Sequence, residues 1–218
     1  TGFIHVGGEM LGRTGDLGTE IIGGTQYAVG AGDVLRIPAG VPHAYLVGDT
    51  GAHITYVLVR VPAFRGEVVA EPDGQAPPLE PPGFGLWRAA ELDQRNDALG
   101  TRIRSDGSAR ETLADCGTGG ESHRIRFLRR NTDGWPELHE DIIDVVFVQS
   151  GGGAVHVGGE LIGESNVPGS SINCGEQYPV AAGDVLHIPA GVPHAYLVSD
   201  SDHITYVLVR VPAVDTVP

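Results

Sequence analysis

Short apolar runs alternate with clusters of glycine, proline and acidic residues along the whole chain. Phe3-Ile4-His5-Val6 stops at Gly7-Gly8, and His53 to Val61 is a nine-residue run of β-branched, aromatic and aliphatic positions. Runs of this kind, bounded by turn residues, predict strands. The sharpest signal is Gly183-Asp184-Val185-Leu186-His187-Ile188-Pro189-Ala190-Gly191-Val192-Pro193-His194. It predicts strand, tight turn, strand. Proline fixes φ and glycine supplies φ > 0, so the turn is rigid and delivers His194 to the mouth of the strand Ala195 to Val198. Strand parity then puts His194, Tyr196 and Val198 on one side. Ser122 to Arg130 and the end of Trp135–Gly151 predict two more strands, and Leu86 to Leu92 predicts the start of a short helix.

The pattern occurs twice. His5 matches His156, Tyr27 matches Tyr178, Pro38 matches Pro189 and His43 matches His194; after one deletion, His53-Ile54-Thr55-Tyr56 matches His203-Ile204-Thr205-Tyr206, and Arg60-Val61-Pro62-Ala63 matches Arg210-Val211-Pro212-Ala213. Shared motifs at one spacing indicate duplication. Three segments follow: a first unit over 1–63, a Pro-rich connector over 64–83, and a longer second unit over 84–218. The first unit has no counterpart to Phe84–Gly151. It is therefore expected to be an incomplete barrel, finished by residues upstream of Thr1 or by another chain, because a half barrel exposes a long sheet edge.

Composition narrows the function classes. The 218 residues include 33 Gly and 15 Pro, and the formal net charge is −14. Such a charge argues against nucleic acid and anionic membrane surfaces. No apolar stretch is long enough to span a bilayer. Cys116 and Cys174 are too few for a disulfide scaffold and read as unpaired thiols of a cytoplasmic protein. The expected partner is a small molecule.

These motifs resemble the cupin superfamily. Its second motif, G-x5-P-x-G-x2-H-x3-N, is met by Gly183, Pro189, Gly191 and His194, with Val198 at the Asn place. Gly32, Pro38, Gly40 and His43 meet it in the first copy, with Val47 at the Asn place. Its first motif is met in part, and only in the second unit: Gly151 and Asp144 take the final Gly and Glu positions, His139 the second His and Glu137 the first. The resemblance implies an all-β bicupin, two jelly-roll barrels (double-stranded β-helices) with the first incomplete, and a homodimer.

In metal-binding cupins three His and one Glu converge inside the barrel. The matching positions imply Glu137, His139, Asp144 and His194 as ligands of one divalent transition metal: Fe, Mn, Ni or Zn. Glu140 is an alternative to Glu137. His43 has no such partners and reads as a turn histidine. Tyr196 is the candidate catalytic acid or substrate-positioning group. Arg124 and Arg126 are candidate substrate-binding residues, since an inward arginine pair suits a carboxylate or phosphate. His5, His156, His53 and His203 read as structural. The first expectation is a metal-dependent enzyme, oxygenase or lyase/isomerase, acting on a small polar molecule. The alternatives are a non-catalytic sugar-binding or other small-molecule-binding module, and a metal-free lyase or isomerase using the same histidines as acid and base.

Overall fold

The structure, a computed structural model, describes residues 2–48, 52–62, 81–116, 123–198 and 201–213. The chain divides into two compact units, Thr1–Leu92 and Asp93–Pro218. The fold is all-β with one 12-residue helix among the described residues, α1 (Ala89–Gly100), and the unit boundary falls within it. Among the described residues, no helix is long and apolar enough to cross a membrane. Most of the predicted connector, residues 64–80, lies outside the described residues.

The first unit contains β1 (Gly2–Val6), β2 (Glu9–Leu11), β3 (Glu20–Ile22), β4 (Thr25–Val29), β5 (Val34–Arg36), β6 (His43–Leu46) and β7 (Gly85–Trp87). Its main sheet has the order β4-β1-β6, with β2–β3 and β5–β7 as separate pairs. Ile4 and Val6, on one face of β1, are fully buried with Val41, and Tyr27, Val29, Leu35, Ile37, Tyr45 and Phe84 close over them.

Three expectations for this region change. Residues 53–61 form no strand. Val57 is 60% exposed, and the described part of the first unit offers this apolar run no ladder partner of the kind its counterpart has in the second. Trp87 lies in β7 and the helix starts at Ala89, because the Asp33 carboxylate accepts the Ala89 N–H and pairs with Arg88. An acceptor at the first free N–H groups fixes where a helix begins. Because β7 pairs with β5, residues 84–92 group with the first unit instead of the second.

The second unit contains β8 (Ser108–Cys116), β9 (His123–Arg130), β10 (Ile142–Val157), β11 (Glu160–Ile162), β12 (Ser171–Asn173), β13 (Glu176–Ala181), β14 (Val185–Ile188), β15 (His194–Leu197) and β16 (Ile204–Pro212). Its large antiparallel sheet runs β13-β10-β16-β9-β8, and β14 and β15 also pair with β10. The 16-residue β10 serves two ladders. Its first part, Ile142 to Gly151, lies against β16 and β14; its second, Gly152 to Val157, lies against β13 and β15. The register shifts between Val148 and Ser150, and Gly151 has φ 68°. This bend folds the sheet over a core of Val146, Val148, Val155, Ile188, Tyr196, Ile204 and Tyr206.

The duplication holds at the level of register. His5 stands opposite Gln26 and Ala44, and His156 stands opposite Gln177 and Ala195. His5 Nε2 donates to Gly23 O at 2.6 Å, and His156 Nε2 to Cys174 O at 2.7 Å. A carbonyl can only accept, so both histidines hold a turn, as expected. His203 contacts the Ser150 hydroxyl. His187 is exposed while Leu186 and Ile188 face inward. Cys174 is an exposed free thiol, and Cys116 is buried.

Candidate functional site

The proline-braced turn aims His194 into the second unit's interior, where it is 2% exposed. Gly191, at φ 74°, makes the turn, and its N–H donates to His139 O at 2.7 Å. Glu137 and His194 exchange backbone hydrogen bonds of 2.7 and 2.9 Å. Asp144 on β10 stands directly opposite Arg210 on β16 and opposite Ile188 on β14. Two stretches distant in sequence, 137–144 and 188–194, thus bring Glu137, His139, Asp144 and His194 together.

Glu137, His139 and His194 present ligand atoms within 4.8 Å of one another, a group able to hold a metal ion. Asp144 Oδ2 lies 3.6 Å from His194 Nε2 and 3.8 Å from His139 Nε2. His194 Nδ1 donates to Val192 O at 3.0 Å, which leaves Nε2 as the nitrogen that faces the cluster. His43 Nδ1 makes the same contact with Val41 O, but His43 is exposed and outside any such cluster among the described residues. Glu140 is exposed and stays outside the group.

Two arginines that sequence reasoning missed complete the site. Arg210 Nη2 stands 2.8 Å from His139 Nε2, 3.0 Å from Glu137 Oε2 and 3.3 Å from Asp144 Oδ2, while its Nε donates to Asp144 Oδ1 at 3.1 Å. Arg130, 5% exposed, donates to Glu137 Oε1 at 3.1 Å and to the Tyr206 hydroxyl at 3.2 Å. Arg210 Nη2 therefore lies against Glu137 and His139, two of the three residues of that group. The donor types suit a divalent ion, but two guanidiniums already balance the two carboxylates. A divalent ion ~4 Å from one guanidinium meets repulsion on the order of 8 kcal/mol at an effective dielectric near 20. Each of the two carboxylates attracts the ion by a similar amount at the same dielectric, so this repulsion is offset. As arranged, Arg210 competes with an ion for Glu137, His139 and Asp144.

The same network sets the charge states. Burial acts to raise the Glu137 carboxyl; the contact with His139 and the Arg210 and Arg130 cations outweigh it and hold the group well below the usual carboxylate range. Burial likewise opposes, and His194 and Arg210 overcome, so that Asp144 is also held low. Depressed carboxyls contribute stability that is present above their unfolded range near ~4 and is lost as pH falls through the folded values. Stability contributed by this pair is thus expected to be constant from neutral pH down to about 5, and to drop below that. Urea titrations against pH check this, and Glu137→Gln is expected to flatten the acid limb.

Tyr196 is 3% exposed and stacks on Tyr206 with ring centroids 4.8 Å apart. The Arg130 guanidinium carbon stands 5.4 Å from the Tyr196 ring centre. Burial, with Tyr206, Asp144 and Glu137 nearby, pushes the Tyr196 phenol well above its ordinary value, so it stays a neutral donor. Its hydroxyl and His194 Nε2 are buried polar atoms without a hydrogen-bond partner. Unmade bonds on buried groups cost about 1–3 kcal/mol each, so a site that keeps two of them open is built to receive something.

A cavity of about 60 Å³ opens beside Tyr196, lined in part by Arg126, Arg130, Glu137, His139, Tyr196 and Arg210. It has room for several waters or a small polar group. Arg126 lines it, but Arg124 is drawn off by Asp115 at 2.8 Å. The clue to Arg210 was in the sequence, since Arg60 is its counterpart in the repeat. For Arg130 the clue was parity, two residues beyond Leu128 on the face that carries Arg126.

No protein-family model matches the chain, and no curated protein matches it. Solved structures similar to it include a cupin 2 conserved barrel domain protein from Rhodopseudomonas palustris, at 19% identity over 50% of this chain and 68% of that one, with a TM-score of 0.36. KdgF from a Halomonas species matches at 20% identity over 50% of this chain and 83% of its own, with a TM-score of 0.33. Streptomyces Pac13, a nucleoside dehydratase, matches at 15% identity over 51% of this chain and 75% of its own, with a TM-score of 0.36.

Proposed function

We propose that the second unit is an enzyme that moves protons on a small polar molecule without a metal, a lyase or isomerase of the cupin type. The observation that carries the reading is Arg210, whose Nη2 competes with an ion for His139, Glu137 and Asp144. His194 Nε2 is the proton-transferring atom. With its Nδ1 committed to Val192 O, a proton on Nε2 turns the 3.6 Å approach to Asp144 into an ion pair; without it, two acceptors face each other. Such a pair can take a proton from substrate carbon and hold it. Tyr196, neutral and unpartnered, supplies the opposing donor: it hydrogen-bonds the substrate oxygen on which charge develops, or gives that oxygen a proton as it leaves. Arg130 and Arg210 keep Glu137 ionised and hold the ring of His139 in place.

Elemental analysis and chelation test this. The purified protein is expected to carry well under one equivalent of Fe, Mn, Ni or Zn. Its turnover on a panel of small hydroxy acids and sugar derivatives is expected to survive exhaustive chelation and to fall at least a hundredfold in His194→Gln. A second reading, the metal-dependent enzyme, is favoured by the three ligand atoms that lie within 4.8 Å of one another. One bound equivalent of metal, with activity lost on chelation, decides for it. Ligand-induced stabilisation with no turnover of any bound compound decides for a binding module.

A further inference from the structure

We infer that the substrate of this cavity is a small organic anion whose carboxylate or phosphate is held between Arg110 and Arg126; the inference names a substrate class for the acid–base site proposed above and rests on that reading. Four guanidiniums line the cavity: Arg110, Arg126, Arg130 and Arg210. Glu137 and Asp144 neutralise Arg130 and Arg210. Arg110 and Arg126 have neither a hydrogen bond nor an ion pair among the described residues, so the lining carries two cations in excess. A chain with a net charge of −14 would repel anions in general. An unneutralised arginine pair at one hollow of such a chain is a local reversal of sign.

Geometry makes the pair usable. Arg110 on β8 stands opposite Leu128, and Arg126 lies two residues from Leu128 along β9, so the two are diagonal neighbours on one face. Diagonal positions sit about 7–8 Å apart, close enough for two long side chains to meet on one anionic group. Arg110 is exposed at the rim and Arg126 is half-buried. Burial, and the cations Arg210, Arg124 and Arg110, push the Arg126 guanidinium below its ordinary value, with Asp115 acting weakly the other way. An arriving anion relieves that repulsion. Arg126 also faces Leu208, which faces Val146, so the anionic end is bordered by an apolar rung, with Tyr196 and His139 elsewhere in the same lining.

The test is calorimetric titration of the whole chain, stripped of metal and then freed of chelator, with malonate, inorganic phosphate and glucose. Malonate or phosphate is expected to bind saturably, more weakly as salt rises, and glucose not to bind. Arg110→Met and Arg126→Met are each expected to weaken the bound anion at least tenfold, with Arg126→Lys falling between. Arg124→Met, whose guanidinium Asp115 already holds, should change affinity less than twofold. Malonate without phosphate identifies a carboxylate site, and phosphate without malonate a phosphate site. The inference is overturned if neither anion binds at 10 mM (roughly the weakest affinity of interest, about 2.7 kcal/mol). It is overturned equally if Arg110→Met and Arg126→Met, checked for native thermal unfolding, bind as the parent does. Anion binding that appears only when metal is restored overturns the acid–base reading too, whereas loss of anion binding alone leaves it standing.

Discussion

Replacing Arg210 with methionine is expected to turn a site indifferent to divalent ions into one that takes them. In the parent, Arg210 Nη2 and Nε bind Glu137, His139 and Asp144 together. Methionine fills much of the stem's volume and offers no cation. Glu137, 8% exposed, then keeps Arg130, while Asp144, 1% exposed, loses its guanidinium partner. Removing one member of a buried ion pair costs about 3–5 kcal/mol, so the metal-free variant should unfold at markedly lower urea. Zinc or manganese supplies the missing positive charge, and the two Nε2 atoms and two carboxylates are ligands both ions accept. One equivalent of zinc is therefore expected to restore much of the lost stability, with little effect on the parent. Arg210→Lys keeps the charge and should gain no ion. Parent protein that binds zinc as tightly as Arg210→Met would sink the idea and favour the metal-dependent reading.

The residues that made the site legible in sequence are those whose backbone is constrained locally. His194 follows a turn in which Pro189, Gly191 and Pro193 leave few conformations, so its place at the strand mouth could be read directly. Asp144, His139 and Glu137 came from the spacing of a resemblance, and the structure brings all of them to His194. Arg210 and Arg130 were hidden because nothing local distinguishes an arginine that pairs across strands from one that points to water. Their partners are 66 and 7 residues away and are fixed by the register of β16 on β10 and by the loop that follows β9. Arg124 and Arg126 show the same limit. Both lie on one face, as parity required, yet Asp115 on the neighbouring strand claims the first and leaves the second to the cavity. Residues 53–61 failed for a related reason: strand propensity needs a ladder partner to be realised, and propensity is all that a sequence displays. Even so, Tyr56 stacks on Tyr45 at 4.5 Å, as Tyr206 does on Tyr196 at 4.8 Å, so the side-chain contact of the repeat survives where the strand does not.

The second large effect is expected at Gly151, a position remote from the chemistry. Gly151 holds φ 68°, and a Cβ placed there would stand 2.0 Å from His203 O. That oxygen is backbone, and it accepts the Gly152 N–H at 3.0 Å, so it cannot move aside without breaking the hydrogen bond that seats β10 beside β16. Left-handed backbone costs a non-glycine residue about 1–2 kcal/mol, and the lost bond about 1 kcal/mol more. Gly151→Ala is thus expected to destabilise by roughly 3 kcal/mol or more. Gly169 supplies the comparison: it too has positive φ, but a Cβ there meets nothing within 4 Å, so Gly169→Ala should cost only the conformational part. The difference reaches the site through geometry. Asp144 precedes the bend and Val157, opposite His194, follows it, so the bend sets the 3.6 Å approach of Asp144 to His194. Urea unfolding of the two variants separates the contributions. Equal losses would mean that β10 absorbs the added methyl by shifting, and that the bend does not hold the carboxylate and the imidazole in register.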